Sequence, residues 1–516
     1  MVMFSKSKVR SRQLLLGACM VGLSVLFAGS AGAETPVKGG TLVVARAGDI
    51  FTLDPYNTQD DPSIFTELTV FDRLVRLSAD GQGIEPELAE KWSIAKDGRS
   101  ADFTLREGVK FSDGTPMTAE DVVFSLTRAI DQKSSWGFLF SPVKAVTKVD
   151  EHTIHFEMSD PFAPLLPALS TFAASIYSKA NFEKWGEQAG NHPLGTAAFM
   201  LDHWTQGQEV VLVRNPHYWQ AGKPYLDKVV FRVVGDDNAR VLQLNSGDVD
   251  LITNVTANQV DQIQSAGNRI YSLAGTVSGM ITFNEKIKPF DEIAVRRALA
   301  HAVDREAIAK VVFFGRAKAS KSILPSSTFF YDPNTDPIGF DLVEAKKILQ
   351  SSSVPSGFEF QADVPSGDSS VVTIAQIWAS SLAKIGVTMK INPVEQTTMQ
   401  DVINSEQYTV AIGSWTNDTP DPDELMGVSL DYTAQNGHHS NYHSDEARNL
   451  VLAARKELDP KKRQDLYSQM QKIINRDAPF TYTVDQDRLF ASRASVQDFT
   501  PNSQGKYDFQ NVWLKK

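Results

Sequence analysis

The chain has 516 residues, a net charge of −11 and a single cysteine, Cys19. Such an acidic chain is a poor candidate for binding nucleic acid or an anionic membrane surface, because like charges repel. A single cysteine also excludes a disulfide framework and a cysteine-rich metal site. With 42% hydrophobic and 22% charged residues the composition is that of a globular protein. A chain this long exceeds one hydrophobic core, so we expect two or three domains.

The first 33 residues have the three-part layout of a secretory signal peptide. Basic residues precede an apolar run at 14–28, and Ala31-Gly32-Ala33 follows, so we expect export to the periplasm with cleavage after Ala33. The alternative of a membrane anchor is disfavoured because the run is shorter than the ~20 residues that cross a bilayer. Leu16-Gly17-Ala18-Cys19 resembles a lipoprotein cleavage site, but the apolar run continues past it, so lipid anchoring at Cys19 is disfavoured too.

Beyond the leader, strand patterns and helix patterns alternate, which predicts an α/β fold with mixed sheets. The predicted strands are 41–46, 101–106, 153–157, 210–213, 228–234, 280–283, 387–391 and 408–413. The predicted helices are 118–129, 238–245, 293–303, a helix from 371 that ends at Gly386, 444–458 and 460–476. No flexible linker separates the halves, which favours strands that cross between two lobes and act as a hinge.

For two of these helices the sequence predicts further detail. Thr118, with Asp121 three residues later, predicts a capping box at the start of its helix. The helix 293–303 places Val295, Leu299 and Ala302 on one side. Its opposite face carries Arg296, Arg297 and Asp304.

Seven ordered motifs together closely resemble the dipeptide, oligopeptide and nickel receptors of ABC importers, known as family 5 extracellular solute-binding proteins. The motifs are Glu85-Pro86-Glu87-Leu88-Ala89, with the run 102–114 behind it, Thr118-Ala119-Glu120-Asp121-Val122, Asn215-Pro216-His217-Tyr218-Trp219, Ser246-Gly247-Asp248-Val249-Asp250, Val295-Arg296-Arg297-Ala298-Leu299, Leu382-Ala383-Lys384-Ile385-Gly386-Val387 and 415–423. They cover nearly all of the chain after the leader. One departure is Ala197-Ala198, where the family usually has Gly-Pro.

The resemblance implies a two-lobed periplasmic-binding-protein fold of the class II type, with an extra subdomain in lobe one and a hinged ligand cleft. Lobe one is then expected at 34–278, with the inserted subdomain at about 76–190, and returns at 485–516. Lobe two is expected at 279–484. The implied function is that of a non-enzymatic receptor that captures peptides or related amine-bearing solutes and delivers them to ABC permease subunits in the inner membrane. We expect a monomer that needs no cofactor and binds no nucleic acid.

The candidate ligand site is Trp415-Thr416-Asn417-Asp418, which directly follows a predicted strand. Ligands of open α/β sheets bind at the carboxyl ends of strands. A carboxylate there can hold an ammonium group, and Trp415 can supply an apolar wall. The residues alone favour the interpretation that Asp418 caps a turn before a proline. The resemblance assigns Asp418 the role of ammonium anchor, and Thr416 and Asn417 are expected beside it.

The family's second ligand residue is missing from this chain. In the dipeptide-binding member an arginine, some fifty residues before the aspartate, takes the ligand's carboxylate, and its position here is occupied by Pro365. The loop 364–368 contains no basic residue. The sequence therefore leaves open whether a ligand carboxylate is recognised at all.

Two alternatives stay open at this stage. His438, His439 and His443 have spacings that suit a transition metal, and nickel-chelate receptors of this family use a histidine from this loop, although the loop also suits a polar surface. We expect no metal, since an ammonium pocket at Asp418 needs none. A secreted hydrolase is the remoter alternative. It is disfavoured because the carboxylates of 418–423 lie in one turn and no nucleophile-elbow or zinc-protease motif is present.

Overall fold

The computed structural model describes residues 35–81, 83–366, 368–434, 439–502 and 504–516. The predicted signal peptide and Cys19 lie outside the described residues. Within them, no helix is both long and apolar enough to span a bilayer.

Strands and helices alternate along the described chain. The strands β1 to β19 are Thr41–Arg46, Val75–Leu77, Ile84–Pro86, Ala89–Ile94, Ser100–Leu105, Val143–Lys148, Thr153–Met158, Phe199–Thr205, Glu209–Arg214, Lys228–Val233, Leu251–Ile252, Arg269–Phe283, Ala317–Ala319, Glu359–Pro365, Thr388–Val394, Val410–Thr416, Phe480–Ser492, Val496–Gln497 and Trp513–Leu514. The helices α1 to α14 are Asp61–Val70, Ala119–Ala129, Leu165–Leu169, Lys179–Trp185, Asp237–Ser246, Val260–Ser265, Ile293–His301, Arg305–Val311, Leu342–Gln350, Ser369–Ala383, Gln396–Asn404, Asp423–Leu430, Asp445–Lys456 and Pro460–Asp477.

One large mixed sheet runs through the molecule in the order β15-β14-β16-β12-β17-β11-β1-β10-β9-β8, and β13 also pairs with β17. Its pairings are parallel between β1 and β10 and between β14 and β15, and antiparallel between β12 and both β16 and β17. A separate four-stranded sheet, β4-β5-β7-β6, lies in the segment where the sequence predicts the inserted subdomain.

The long strands β12 and β17 join two sets of hydrophobic cores. On one side, β1, β9 and β10 pack with the C-terminal residues Phe499, Phe509 and Val512. On the other side, Ile281, Trp378 and Val484 belong to a second core. We name the first side lobe one and the second lobe two. The register between β12 and β17 shifts between Ala274 and Met280, at the place where the cores divide.

Several local predictions agree with the structure. The capping box between Thr118 and Asp121 is present, and Gly247 ends α5 with φ +88°. Gly386 ends the turn that follows α10, with φ +87°, and the N–H groups of Gly386 and Val387 donate to the carbonyls of Ala383 and Leu382, as expected for a glycine that caps a helix. Arg296, placed by periodicity on the face opposite the buried one, is only 1% exposed.

Arg296 can be buried because each nitrogen of its guanidinium has an acceptor there. It donates to the backbone carbonyls of Asp477, Ala478 and Phe290, and its Nη1 lies 3.1 Å from Glu285 Oε2. A buried charge is tolerated when it is paired and hydrogen-bonded in this way. Arg296 therefore ties α7 to the segment between α14 and β17.

Gly357 supplies a test of the packing in lobe two. Its φ is +88°, and a Cβ there would lie 1.9 Å from the carbonyl oxygen of Gly386. We expect Gly357→Ala to lower the free energy of unfolding by about 2–5 kcal/mol, because left-handed strain adds to overpacking. Gly207 is the control: its φ is +73° and no described atom lies within 4 Å of its Cβ position, so Gly207→Ala should cost only about 1–2 kcal/mol. Urea unfolding followed by circular dichroism measures both. Equal losses of unfolding free energy in Gly357→Ala and Gly207→Ala would show that the backbone around Gly386 moves away from a Cβ at position 357 at no cost.

Candidate ligand-binding site

The predicted site begins at the carboxyl end of β16 and ends where α12 begins. β16 runs parallel to β14 and antiparallel to β12, so the segment 415–423 leaves the sheet beside the strand that both lobes share. This is the place where open α/β sheets bind ligands.

Asp418 is buried, with 7% of its surface exposed, and holds an ammonium group of the protein itself. The Nζ of Lys506 lies 3.1 Å from Asp418 Oδ1 and donates to the Asp418 carbonyl oxygen at 2.7 Å. Lys506 belongs to the C-terminal segment that packs in lobe one, and Asp418 belongs to lobe two. The ion pair therefore joins the lobes. Sequence reasoning missed Lys506, because nothing in its surroundings marks it as a partner of a residue 88 positions earlier.

Glu424 is a second buried carboxylate in the same site. One of its oxygens accepts from the backbone N–H groups of Asp418 and Thr419, at 2.8 and 3.0 Å. The other accepts from Trp415 Nε1 at 3.2 Å. These three donors fix the turn that carries Asp418. Glu424 was also missed by the sequence analysis, which weighed only the aspartates of this segment.

The two carboxylates share one nearby lysine, and this imbalance changes their titration. Burial raises the pKa of Asp418, while Lys506 opposes that rise. Burial, followed by the neighbouring charge of Asp418, raises the pKa of Glu424 well above its usual range. A site with two buried carboxylates favours an additional positive charge or a proton.

The other predicted site residues have different surroundings. Asn417 is fully buried, and its backbone N–H and its side-chain amide both donate to the carbonyl of Thr276 in β12. Thr276 Oγ1 donates back to the Asn417 carbonyl at 3.0 Å. Thr416 Oγ1 accepts from Arg488 Nη2 at 3.3 Å. Trp415 is half-buried against the core of lobe two. The structure thus brings Trp415 and Asp418 together around Glu424, whereas Asn417 binds the segment to β12.

The two later aspartates of the segment are occupied by arginines of lobe two. Arg463 binds Asp421 through two hydrogen bonds of 2.7 and 3.0 Å. Arg455 Nε lies 3.1 Å from both carboxylate oxygens of Asp423. These pairs anchor the turn to α13 and α14 and leave Asp418 as the aspartate that faces lobe one.

The missing arginine has no substitute on β14. Pro365 is the last residue of that strand, and the described part of the loop 364–368 contains no basic residue. The cations near Asp418 come from elsewhere, namely Lys506 and Arg488. Arg488 itself lies 3.3 Å from Asp61 Oδ2.

The histidine loop is only partly described, because His438 lies outside the described residues. His439 accepts a hydrogen bond at its backbone carbonyl from Tyr408 Oη, and the ring of His443 stacks on Tyr432 at 3.5 Å. The described part of the chain holds no group of three or more histidine, cysteine or acidic side chains suited to a metal ion.

Comparison with known proteins identifies the family. Residues 83–437 match the model of the middle region of the bacterial extracellular solute-binding proteins, family 5. The chain belongs to this family. The family membership inferred from the seven motifs is therefore confirmed.

Relatives of this family 5 protein extend over almost its whole length. It is 30% identical over 485 residues to the probable D,D-dipeptide-binding periplasmic protein DdpA of Escherichia coli K12, covering 91% of this chain and 93% of that one. It is 28% identical to the glutathione-binding protein GsiB of Salmonella typhimurium, covering 92% and 94% of the two chains. Among solved structures, the periplasmic binding protein DppA of Helicobacter pylori, in complex with the peptide STSA, has a TM-score of 0.84 at 28% identity, covering 93% and 99%. These matches confirm the predicted two-lobed α/β fold.

The raised pKa of Glu424 predicts a pH-dependent stability. Its folded pKa lies above the unfolded value of 4.5, so the bound proton stabilises the fold fully below about pH 4.5. This contribution is lost as the pH rises through the folded pKa. We expect Glu424→Gln, which does not titrate, to gain stability relative to the wild type as the pH rises from 4.5 to 8. Urea unfolding across that range measures the difference.

Glu107→Gln, on the surface, is the control and should parallel the wild type. A parallel curve for Glu424→Gln would contradict the assignment.

Proposed function

We propose that this chain is the periplasmic receptor of an ABC importer for short peptides or related amine-bearing solutes. The ligand binds in the cleft between the lobes, and Asp418 holds its ammonium group. Closure of the lobes excludes water and so strengthens this pair. The loaded receptor, a monomer, then delivers the ligand to permease subunits in the inner membrane.

The observation that carries this proposal is the occupant of Asp418. The Nζ of Lys506 is a primary ammonium, and it is bound both by the Asp418 carboxylate and by the Asp418 carbonyl. A peptide's α-ammonium is the same chemical group and can use the same two acceptors. Lys506 thus stands in for the ligand's ammonium, and binding replaces one ammonium by another without leaving the carboxylate unpaired.

The named ligands of the relatives support a peptide. DdpA is named for D,D-dipeptides, GsiB for glutathione, and the Helicobacter pylori protein holds the tetrapeptide STSA. All of these are short peptides, and the names describe binding rather than turnover. A metal-chelate receptor that uses the His438 and His439 loop remains the second hypothesis from the sequence, but no observation in the described residues favours it.

Native mass spectrometry of gently purified protein identifies the ligand directly. We expect short peptides to be released from the wild-type protein on denaturation. Release of a nickel chelate would contradict the proposal and move the site to the histidine loop. Turnover of added peptides would support the hydrolase alternative instead.

Replacing Asp418 tests the anchor. We expect Asp418→Asn, which keeps the size of the side chain, to weaken the affinity for the identified peptide at least tenfold, since a charge-assisted bond is lost. Isothermal titration calorimetry measures the affinity. Asp423→Asn is the matched control: it loses an ion pair to Arg455 in the same segment and should reduce stability with less than a threefold change in affinity. Unchanged affinity in Asp418→Asn would remove Asp418 from the site.

A further inference from the structure

Besides the Asp418–Lys506 pair, another contact joins the lobes at the end of α13. On one side of it lies the four-stranded sheet β4-β5-β7-β6, whose core contains Ile64 of α1. Because α1 also supplies Val70 to the core of lobe one, this sheet is part of lobe one. On the other side lie α13 and the residues after it, which pack in lobe two.

Polar groups form one half of this contact. The backbone N–H of Ala163, between β7 and α3, donates to the carbonyl oxygen of Arg455 at 3.0 Å. Arg455 lies in the last turn of α13, where carbonyls have no partner within the helix, so lobe one satisfies one of them. Lys456 Nζ lies 3.3 Å from Asp160 Oδ2, but these side chains are 46% and 41% exposed. Exposed ion pairs contribute little, so the backbone hydrogen bond is the firmer of the two.

Leu458 forms the apolar half of the contact. Its two methyl carbons lie 3.0 and 3.1 Å from the position that a Cβ of Gly98 would occupy, so the leucine fits because glycine has no side chain. Gly98 is buried, although it lies in the turn between β4 and β5. Leu458 itself is 41% exposed. This leucine therefore serves the contact with lobe one more than the core of its own lobe.

The contact lies next to the segment that carries Asp418. Arg455 accepts from Ala163 through its backbone, and its side chain binds Asp423 with Nε 3.1 Å from both carboxylate oxygens. The end of α13 is therefore fixed to the segment 415–423. The two contacts between the lobes accordingly share one part of lobe two, and separating the lobes there breaks both.

We propose that the contact at the end of α13 is a clasp that holds the two lobes together independently of any ligand. Every group in it belongs to the protein, so it acts whether or not a solute lies in the cleft. A ligand leaves only from molecules whose lobes have separated, so the clasp also sets the rate of release. The clasp consists of Gly98, Asp160 and Ala163 of lobe one and Arg455, Lys456 and Leu458 of lobe two.

A distance measured across the clasp tests this directly. Cys19 is the one cysteine of the chain and lies in the predicted leader, so new cysteines can be labelled selectively in the exported protein. Lys96→Cys and Lys461→Cys flank Gly98 and Leu458, and both lysines are exposed. Double electron–electron resonance of the spin-labelled protein, dialysed from urea to remove bound solutes, gives the distribution of distances. We expect a short-distance population with no ligand added.

Leu458→Asp in this labelled background is the decisive variant, because a charge replaces the methyl groups that cover Gly98. We expect the ratio of short to long distances to fall at least threefold. Lys456→Ala should lower it less than twofold, since the ion pair is exposed. Leu242→Asp is the matched control: it makes the same change at a leucine of α5 that is 63% exposed, and it should leave the distribution unchanged.

The rate of release provides a second measurement. The probe is the peptide that the wild-type protein releases on denaturation, and Leu458→Asp should speed its dissociation at least threefold in stopped-flow experiments. An unaltered distance distribution in Leu458→Asp, or the lack of a short-distance population in the wild-type background, would overturn the clasp. If the protein releases no peptide, the proposed function fails, and the label distances alone still decide whether the clasp exists.

Discussion

The buried ion pair between Asp418 and Lys506 is the interaction on which this site depends. Each group is less than a tenth exposed, and each belongs to a different lobe. Removing two charges from water costs several kcal/mol per ion, and their attraction roughly offsets that cost only with good geometry. The additional hydrogen bond from Lys506 to the Asp418 carbonyl provides that geometry. Because the two partners lie in different lobes, anything that competes for either of them also acts on the contact between the lobes.

The position of Asp418 is set by the strands that join the lobes. Asn417 is bound through its backbone and its side chain to Thr276, which lies in β12 where the register with β17 shifts. Glu424 then holds the backbone of Asp418 from the start of α12. Asp418 is therefore attached to the strands that join the lobes and not to the rim of one lobe.

The sequence predicted the fold and the place of Asp418 within it, for identifiable reasons. The strand ending at Thr416 and the motif that follows it are local features, so Asp418 was placed correctly at the end of β16. Periodicity separates charged from apolar residues, and it therefore put Arg296 on the face opposite the buried one, although backbone carbonyls of distant residues satisfy its guanidinium. Lys506 was missed for the same reason. Its partner is set by the return of the chain to lobe one, and no local pattern carries that information.

In the proposed receptor, the internal lysine at Asp418 has a consequence for transport. A receptor must release its ligand to the permease, and a buried carboxylate that is left empty opposes release. If a ligand's ammonium binds Asp418 as we propose, Lys506 removes that obstacle, because it can reoccupy Asp418 as the ligand departs. The same competition lowers the apparent affinity by the fraction of molecules in which Lys506 already holds the site.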